Sequence, residues 1–279
     1  MIIGEWNVKE CLVGKFKLDG GAMFGVVPKT IWSKLIPADD LNRIPMALRT
    51  LLIIGNGKSI LIDSGSGRGY GEKLERIYQF NEYKGVDKAL LEAGLSRTDI
   101  TDVIVSHLHF DHGGGLAEPD SGGWKLSFPN ARHHVHAAQW DHALSPTARD
   151  RASYFEDRIE ILQKEGALDL HDGPWSMDNG LDIEIVNGHT PGQQLPKISG
   201  GGKTLFFCGD LVPTASHLPV PYIMAYDLNP VLAMEEKLDY LDRAVDQEWI
   251  LFFEHDPEIA ACLVKKSGKR YLAAEPVKL

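Results

Sequence analysis

Ser106-His107-Leu108-His109-Phe110-Asp111-His112-Gly113-Gly114-Gly115 packs three imidazoles and a carboxylate into a few positions. They follow the apolar run Val103-Ile104-Val105 directly, which reads as a buried strand. The cluster therefore sits at a strand's carboxyl end, where Gly113 to Gly115 let the backbone bend. One bend does not easily aim four side chains at a single ion. It can send His107 and His109 to one ion and Asp111 with His112 to a neighbour, provided that other segments complete both. Imidazole nitrogen with carboxylate oxygen suits zinc foremost, with manganese, iron or cobalt as alternatives, because calcium and magnesium prefer all-oxygen shells.

This segment resembles the H-x-H-x-D-H signature of the metallo-β-lactamase superfamily of binuclear metallohydrolases, and the resemblance continues, in order, along nearly the whole chain. It implies His189, in Gly188-His189-Thr190-Pro191-Gly192, as the third ligand of the first metal. Asp210, closing Thr204-Leu205-Phe206-Phe207-Cys208-Gly209, takes the place of a metal-bridging carboxylate. His255, after Trp249-Ile250-Leu251-Phe252-Phe253-Glu254, completes the second site beside Asp111, His112 and Asp210. Upstream, Asp63 follows Ser59-Ile60-Leu61-Ile62 in the place of a residue that orients a ligand. The implied fold class is α/β: a four-layer αβ/βα sandwich, two mixed β-sheets flanked by helices, with two divalent metal ions at the strand ends.

The elements that must position these residues are legible around them. Arg49 to Ile54 turns through Gly55-Asn56-Gly57 into Ser59 to Ile62 as a hairpin leading to Asp63. Two helical stretches lie between Tyr70 and Gly94, the second with Val86, Ala89, Leu90 and Ala93 on its apolar face. Ala148, Ala152, Phe155, Ile159 and Leu162 recur at helical spacing from Pro146 to Gly166. Asn229-Pro230 opens a helix whose expected buried stripe is Val231, Met234, Leu238, Leu241 and Val245. In Arg132-His133-His134-Val135-His136, alternation sends neighbours to opposite faces, so a surface strand is expected there and not a metal site.

The chain of 279 residues, 43% of them apolar, can bury a full core, and it reads as one domain over 1–279. Cys11, Cys208 and Cys262 are far apart and lack C-x-x-C spacing, which suggests neither disulfides nor a thiolate zinc site and fits a reducing compartment. The N-terminus lacks an export layout and no apolar run spans a bilayer, so the expectation is a cytoplasmic protein without membrane attachment. A formal net charge of −10 opposes nucleic-acid binding. A small-molecule substrate is the expected partner, and a homodimer is allowed.

No G-x-S-x-G elbow is present and the cysteines lack basic neighbours, which leaves metal-assisted hydrolysis. Two adjacent cations sharing one water would give a hydroxide near neutral pH that attacks an ester, lactone or phosphotriester bond, lactone or ester being favoured. Asp210 and Asp111 are the catalytic carboxylates, Asp111 being placed to pass the water's proton to the leaving group. Phe24, Trp32, Phe110, His217, Tyr222, Met224 and Tyr226 are the candidates for the substrate pocket. Gly21-Ala22-Met23-Phe24-Gly25, Asn42-Arg43-Ile44-Pro45 and Phe128-Pro129-Asn130-Ala131 are similar to the branch of lactonases and methyl-parathion-type hydrolases. Many of those lactonases carry a tyrosine three residues past the bridging aspartate. Pro213 stands there in this chain, with Tyr222 and Tyr226 as the candidate replacements. Other readings left open are a glyoxalase-II-like thioesterase, a β-lactamase-like amide hydrolase, an iron-dependent oxidoreductase and a metal-bound binding protein without turnover.

Overall fold

The computed structural model describes residues 1–80, 83–178 and 180–279. The chain opens with β1 (Ile2–Ile3), β2 (Trp6–Asp19), the short helices α1 (Gly20–Phe24) and α2 (Lys29–Trp32), and the hairpin β3 (Arg43–Gly55) and β4 (Lys58–Ile62). Helices α3 (Gly71–Tyr78) and α4 (Asp87–Glu92) lead to β5 (Asp102–Ile104). One helical turn, α5 (Phe110–Gly113), follows, then a separate ribbon of β6 (Ala117–Asp120) and β7 (Gly123–Leu126). Strand β8 (Arg132–His136), helices α6 (Ala137–Leu144) and α7 (Glu156–Lys164) and β9 (Leu168–His171) complete the first sheet, in the order β1-β2-β3-β4-β5-β8-β9.

The second sheet runs in chain order: β10 (Trp175–Asp178), β11 (Leu181–Val186), β12 (Gln193–Gly200), β13 (Lys203–Phe207), β14 (Ile250–Phe252), β15 (Ala261–Ser267) and β16 (Arg270–Pro276). Helix α8 (Pro230–Asp246) crosses between β13 and β14, which is why that pair alone is parallel. Both sheets are mixed, since β4, β5, β8 and β9 also run parallel.

Strand alternation divides the core into layers. Leu51 and Ile53 of β3 join Leu205 and Phe207 of β13 in the layer between the sheets. Leu48 and Leu52 face the opposite way, toward α4 and α7. Phe206 packs outward against Tyr240 and Leu241 of α8. The result is the four-layer sandwich with helices outside and two sheets inside.

Three local expectations change. Helix α7 starts at Glu156, not near Pro146, because Asp150 takes hydrogen bonds from Thr147 Oγ1 and His142 Nε2 and holds 147–150 in a local turn. The buried face of α8 is Ala233, Lys237, Tyr240, Leu241 and Ala244, which leaves Val231 and Leu238 exposed. A lysine defines that face, so the apolar pattern misplaces it. Strand β8 is interior, and His133, His134 and His136 are all buried.

Candidate metal centre

Strands β4 and β5 run parallel, and in the other sheet β11, β13 and β14 share one direction, so their carboxyl ends converge. Asp63 follows β4, His107 to His112 follow β5, and His189, Asp210 and His255 follow β11, β13 and β14. Backbone hydrogen bonds from Gln194 N to Ser106 O and from Ala47 N to His255 O join the two sheets there. The glycines after His112 serve approach more than bending: a Cβ on Gly114 or Gly115 would lie 2.3 Å from the carbonyl oxygen of Ser66 or Ser64.

The seven expected side chains come together in two groups. In the first, His107 Nε2 lies 3.0 Å from His109 Nδ1, which lies 3.2 Å from His189 Nε2. In the second, His112 Nε2 and His255 Nε2 are 3.0 Å apart, with Asp111 Oδ2 3.7 Å from His255 Nε2. Asp210 stands between them. Its Oδ2 is 3.3 Å from His189 Nε2, and its Oδ1 is 3.3 Å from His255 Nε2 and 3.5 Å from His112 Nε2. All seven side chains are buried.

Four imidazoles turn their other nitrogen to a protein oxygen, which leaves the inward nitrogen free to bind. His189 Nδ1 donates to Asp227 Oδ1 at 2.8 Å and His255 Nδ1 to Ala47 O at 2.9 Å. His107 Nδ1 lies 3.1 Å from Ser106 Oγ. His112 Nδ1 faces Asp63 Oδ2 at 3.0 Å and Glu254 Oε2 at 2.9 Å. Asp63 also accepts from Ser106 N at 2.6 Å and Ser106 Oγ at 2.5 Å. It does so at a φ of 59°, a left-handed conformation that costs a non-glycine residue energy and persists because these bonds hold it.

These residues fit a metal pair. Ligand atoms around a tetrahedral ion with bonds of ~2.0–2.1 Å stand roughly 3.3 Å apart, the spacing found in both groups. Inward lone pairs at that distance repel unless a cation lies among them, and buried Asp210 Oδ1 has no hydrogen-bond partner among the described residues. Burial and the neighbouring histidines hold His107 and His109 far below the usual imidazole range, as neutral ligands. Despite their burial, His112, His189 and His255 are raised by Asp210 and the other carboxylates beside them, so a metal ion there would displace a proton from each. Burial would raise the Asp210 carboxyl, but His112 and His189 pull it well below the carboxylate range.

Above the centre lies a narrow cavity of about 40 Å³, bounded by Leu18, Met23, Tyr78, Phe110, Met224 and Tyr226 together with Asp111, Asp210 and three of the histidines. Leu18, Tyr78 and Tyr226 also line a neighbouring groove of about 720 Å³ that contains Lys17, Arg43 and Arg76. Of the expected pocket residues, Phe110, Met224 and Tyr226 line the narrow cavity. Phe24, Trp32 and His217 do not line it: they form a stack, with Phe24 5.5 Å from Trp32 and 4.5 Å from His217, centroid to centroid. His217 Nε2 donates to Met23 O at 2.9 Å, so this histidine ties the loop after β13 to α1. Tyr222 lines a different groove with Pro219, Pro221 and Tyr271.

Three contributors carry no motif. Asp227 lies in a loop before α8 and Glu254 beside a ligand, where an acid closing an apolar run was the available signal. Gln139 Oε1 accepts from Leu108 N and its Nε2 donates to Thr190 Oγ1, bridging two ligand-bearing loops. Among the described residues no helix is long and apolar enough to cross a membrane.

A family model described as "Metallo-beta-lactamase superfamily" matches residues 49–255. A probable metallo-hydrolase of Mycobacterium tuberculosis is 24% identical over 274 residues, 85% of this chain and 86% of that protein. The crystal structure of a probable metal-dependent hydrolase from Staphylococcus aureus is 30% identical, with a TM-score of 0.88 over 99% of this chain and 100% of that one. AidC, a dizinc quorum-quenching lactonase solved with the product N-hexanoyl-L-homoserine, superposes with a TM-score of 0.83 at 23% identity, over 100% of this chain and 97% of its own.

Proposed function

The chain belongs to the metallo-β-lactamase superfamily and is similar throughout to metallo-hydrolases, and from that premise we propose that it is a two-metal hydrolase of small uncharged esters, lactones foremost. The observation that carries this reading is Asp210, whose two carboxylate oxygens face two separate sets of ligands. Zinc is the ion that best suits the mixed nitrogen and oxygen donors. Bound there, the ions would supply the charge that polarises a scissile carbonyl and makes water nucleophilic near neutral pH.

The chain's own residues supply the rest. His107, His109 and His189 form one binding half, Asp111, His112 and His255 the other, and Asp210 spans them. Asp111 lines the cavity and moves the proton from water to the leaving oxygen. Tyr226 lines the same cavity, and burial with the nearby Tyr78 and Asp111 pushes its phenol well above the ordinary range, so it stays a hydrogen-bond donor. It takes the part that Pro213 cannot, donating to an oxygen of the substrate. Phe110, Met23 and Met224 exclude water around the reacting group, and the outer groove beyond Leu18, Tyr78 and Tyr226 receives the remainder. The AidC product complex is the comparison that favours a lactone over a phosphotriester. Three buried free cysteines suit a reducing compartment such as the cytoplasm.

The test is a panel of lactones, aryl esters, thioesters, β-lactams and phosphotriesters offered to zinc-loaded protein. Lactone or ester turnover that vanishes in Asp210→Asn is expected. Turnover confined to thioesters or β-lactams, or none above metal-free protein, would overturn the assignment.

A further inference from the structure

The registers of β8 and β9 build another cluster away from the centre described above. His134 is paired with Asp169 across the parallel strands, and Asp169 and His171 stand two apart on β9, so all three side chains share one face. Their ligand atoms lie within 4.8 Å of one another. His134 Nδ1 is 2.9 Å from His171 Nε2 and 3.7 Å from Asp169 Oδ2, which brackets the roughly 3.3 Å spacing of donors around a tetrahedral ion.

Both imidazoles are already oriented. His134 is buried, and its Nε2 donates to Asp102 Oδ1 at 2.9 Å, which fixes the tautomer and turns the Nδ1 lone pair toward His171. This carboxylate-histidine pairing is the arrangement that metal-binding histidines favour. The His171 ring lies flat on Trp175, centroids 3.8 Å apart and planes within 5°, and Trp175 is itself held by a hydrogen bond from Nε1 to Gln194 Oε1 at 2.8 Å. Asp169 and His171 are half-buried on the edge strand of the first sheet, so an ion can reach them. Arg132 Nη1, 3.4 Å from Asp169 Oδ2, is the competing cation, but it is exposed and long enough to swing aside.

We propose that His134, Asp169 and His171 form a separate transition-metal site, which takes one borderline divalent ion such as zinc, copper or nickel on two imidazole nitrogens and a carboxylate oxygen. Water completes the coordination. The ion clips β9, at the edge of its sheet, to β8 inside it, and its role is structural, apart from turnover. Magnesium and calcium, which prefer oxygen, do not compete.

The experiment equilibrates wild type, His171→Ala and Asp169→Asn with buffered free zinc, removes unbound ions and counts zinc per chain. Wild type is expected to carry one zinc more than His171→Ala, with ester turnover equal in the two, and Asp169→Asn to bind that extra ion more weakly. Equal counts in wild type and His171→Ala would overturn the proposal. Should a variant fail to fold, zinc-edge anomalous diffraction from wild-type crystals decides: a peak bonded to His134 Nδ1 and His171 Nε2 supports the site, and a hydrogen bond with no peak between those rings refutes it. Neither outcome depends on what the central site hydrolyses.

Discussion

Asp227 accepts the Nδ1 proton of His189 across 2.8 Å, although the two residues belong to different loops, one after β11 and one before α8. The second carboxylate oxygen of Asp227 accepts from Met224 N at 2.9 Å, so the same side chain fixes both a ligand and a cavity wall. Removing such a support costs about 10–100-fold in metal affinity. Asp227→Asn should therefore weaken zinc in a chelator competition by that order while leaving the fold intact. An affinity equal to wild type would show that His189 needs no such partner.

Tyr226→Phe deletes one hydroxyl from the cavity wall. If that hydroxyl donates to the substrate, kcat/KM for a lactone falls about 10-fold, the loss of roughly one charge-assisted hydrogen bond, while bound zinc stays constant. Steady-state kinetics beside metal analysis checks both halves. Unchanged kcat/KM would mean that Tyr226 only shapes the cavity.

Asp63 holds Ser106 N, Ser106 Oγ and His112 Nδ1, all buried. Asp63→Ala leaves Ser106 N unpaired, takes one partner from Ser106 Oγ and from His112 Nδ1, which keeps Glu254, and retains a left-handed backbone without the side chain that stabilised it, at a cost of about 3 kcal/mol. Urea unfolding of metal-free protein measures this separately from ligand binding. A loss below about 0.5 kcal/mol, typical of surface changes, would contradict the role.

Lys237 is fully buried and its Nζ donates to the carbonyls of His217, Pro219 and Tyr222, which gathers the loop behind the cavity. Burial pushes this ammonium down to about 7 from 10.5, while Asp227 works against the shift. Above that value the folded chain has released a proton that the unfolded chain keeps until about pH 10.5. The penalty is thus complete below pH 7, and stability climbs between about pH 7 and 10, by at most about 1.4 kcal/mol per unit. Unfolding free energies of wild type minus Lys237→Met across that window should slope upward. A flat difference would place the lysine's titration elsewhere.

A strand end is a position that local pattern reveals, which made the His107 to His112 cluster legible, while His189, Asp210 and His255 were singled out by the family resemblance. His107 to His112, His189, Asp210 and His255 all stand at strand ends. What supports them was hidden. Asp227 and Gln139 lie in a loop and on a helix with no spacing that links them to a metal, and only the packed structure brings them close. The stripe of α8 was misread because Lys237 sits inward, its charge answered by carbonyls that no pattern shows. Phe24 and Trp32 were read as pocket residues from their apolar character, which serves a stacked core equally well. His134 gave no sign of its partners, since Asp169 and His171 come from β9, more than 30 residues later, through parallel pairing.

The measurement that bears most directly on the central claim is anomalous diffraction at the zinc edge from crystals of zinc-loaded protein. Two peaks are expected on either side of Asp210, one bonded to His107, His109 and His189 and the other to Asp111, His112 and His255. A lone peak, or none within bonding distance of either Asp210 oxygen, would contradict a two-metal centre.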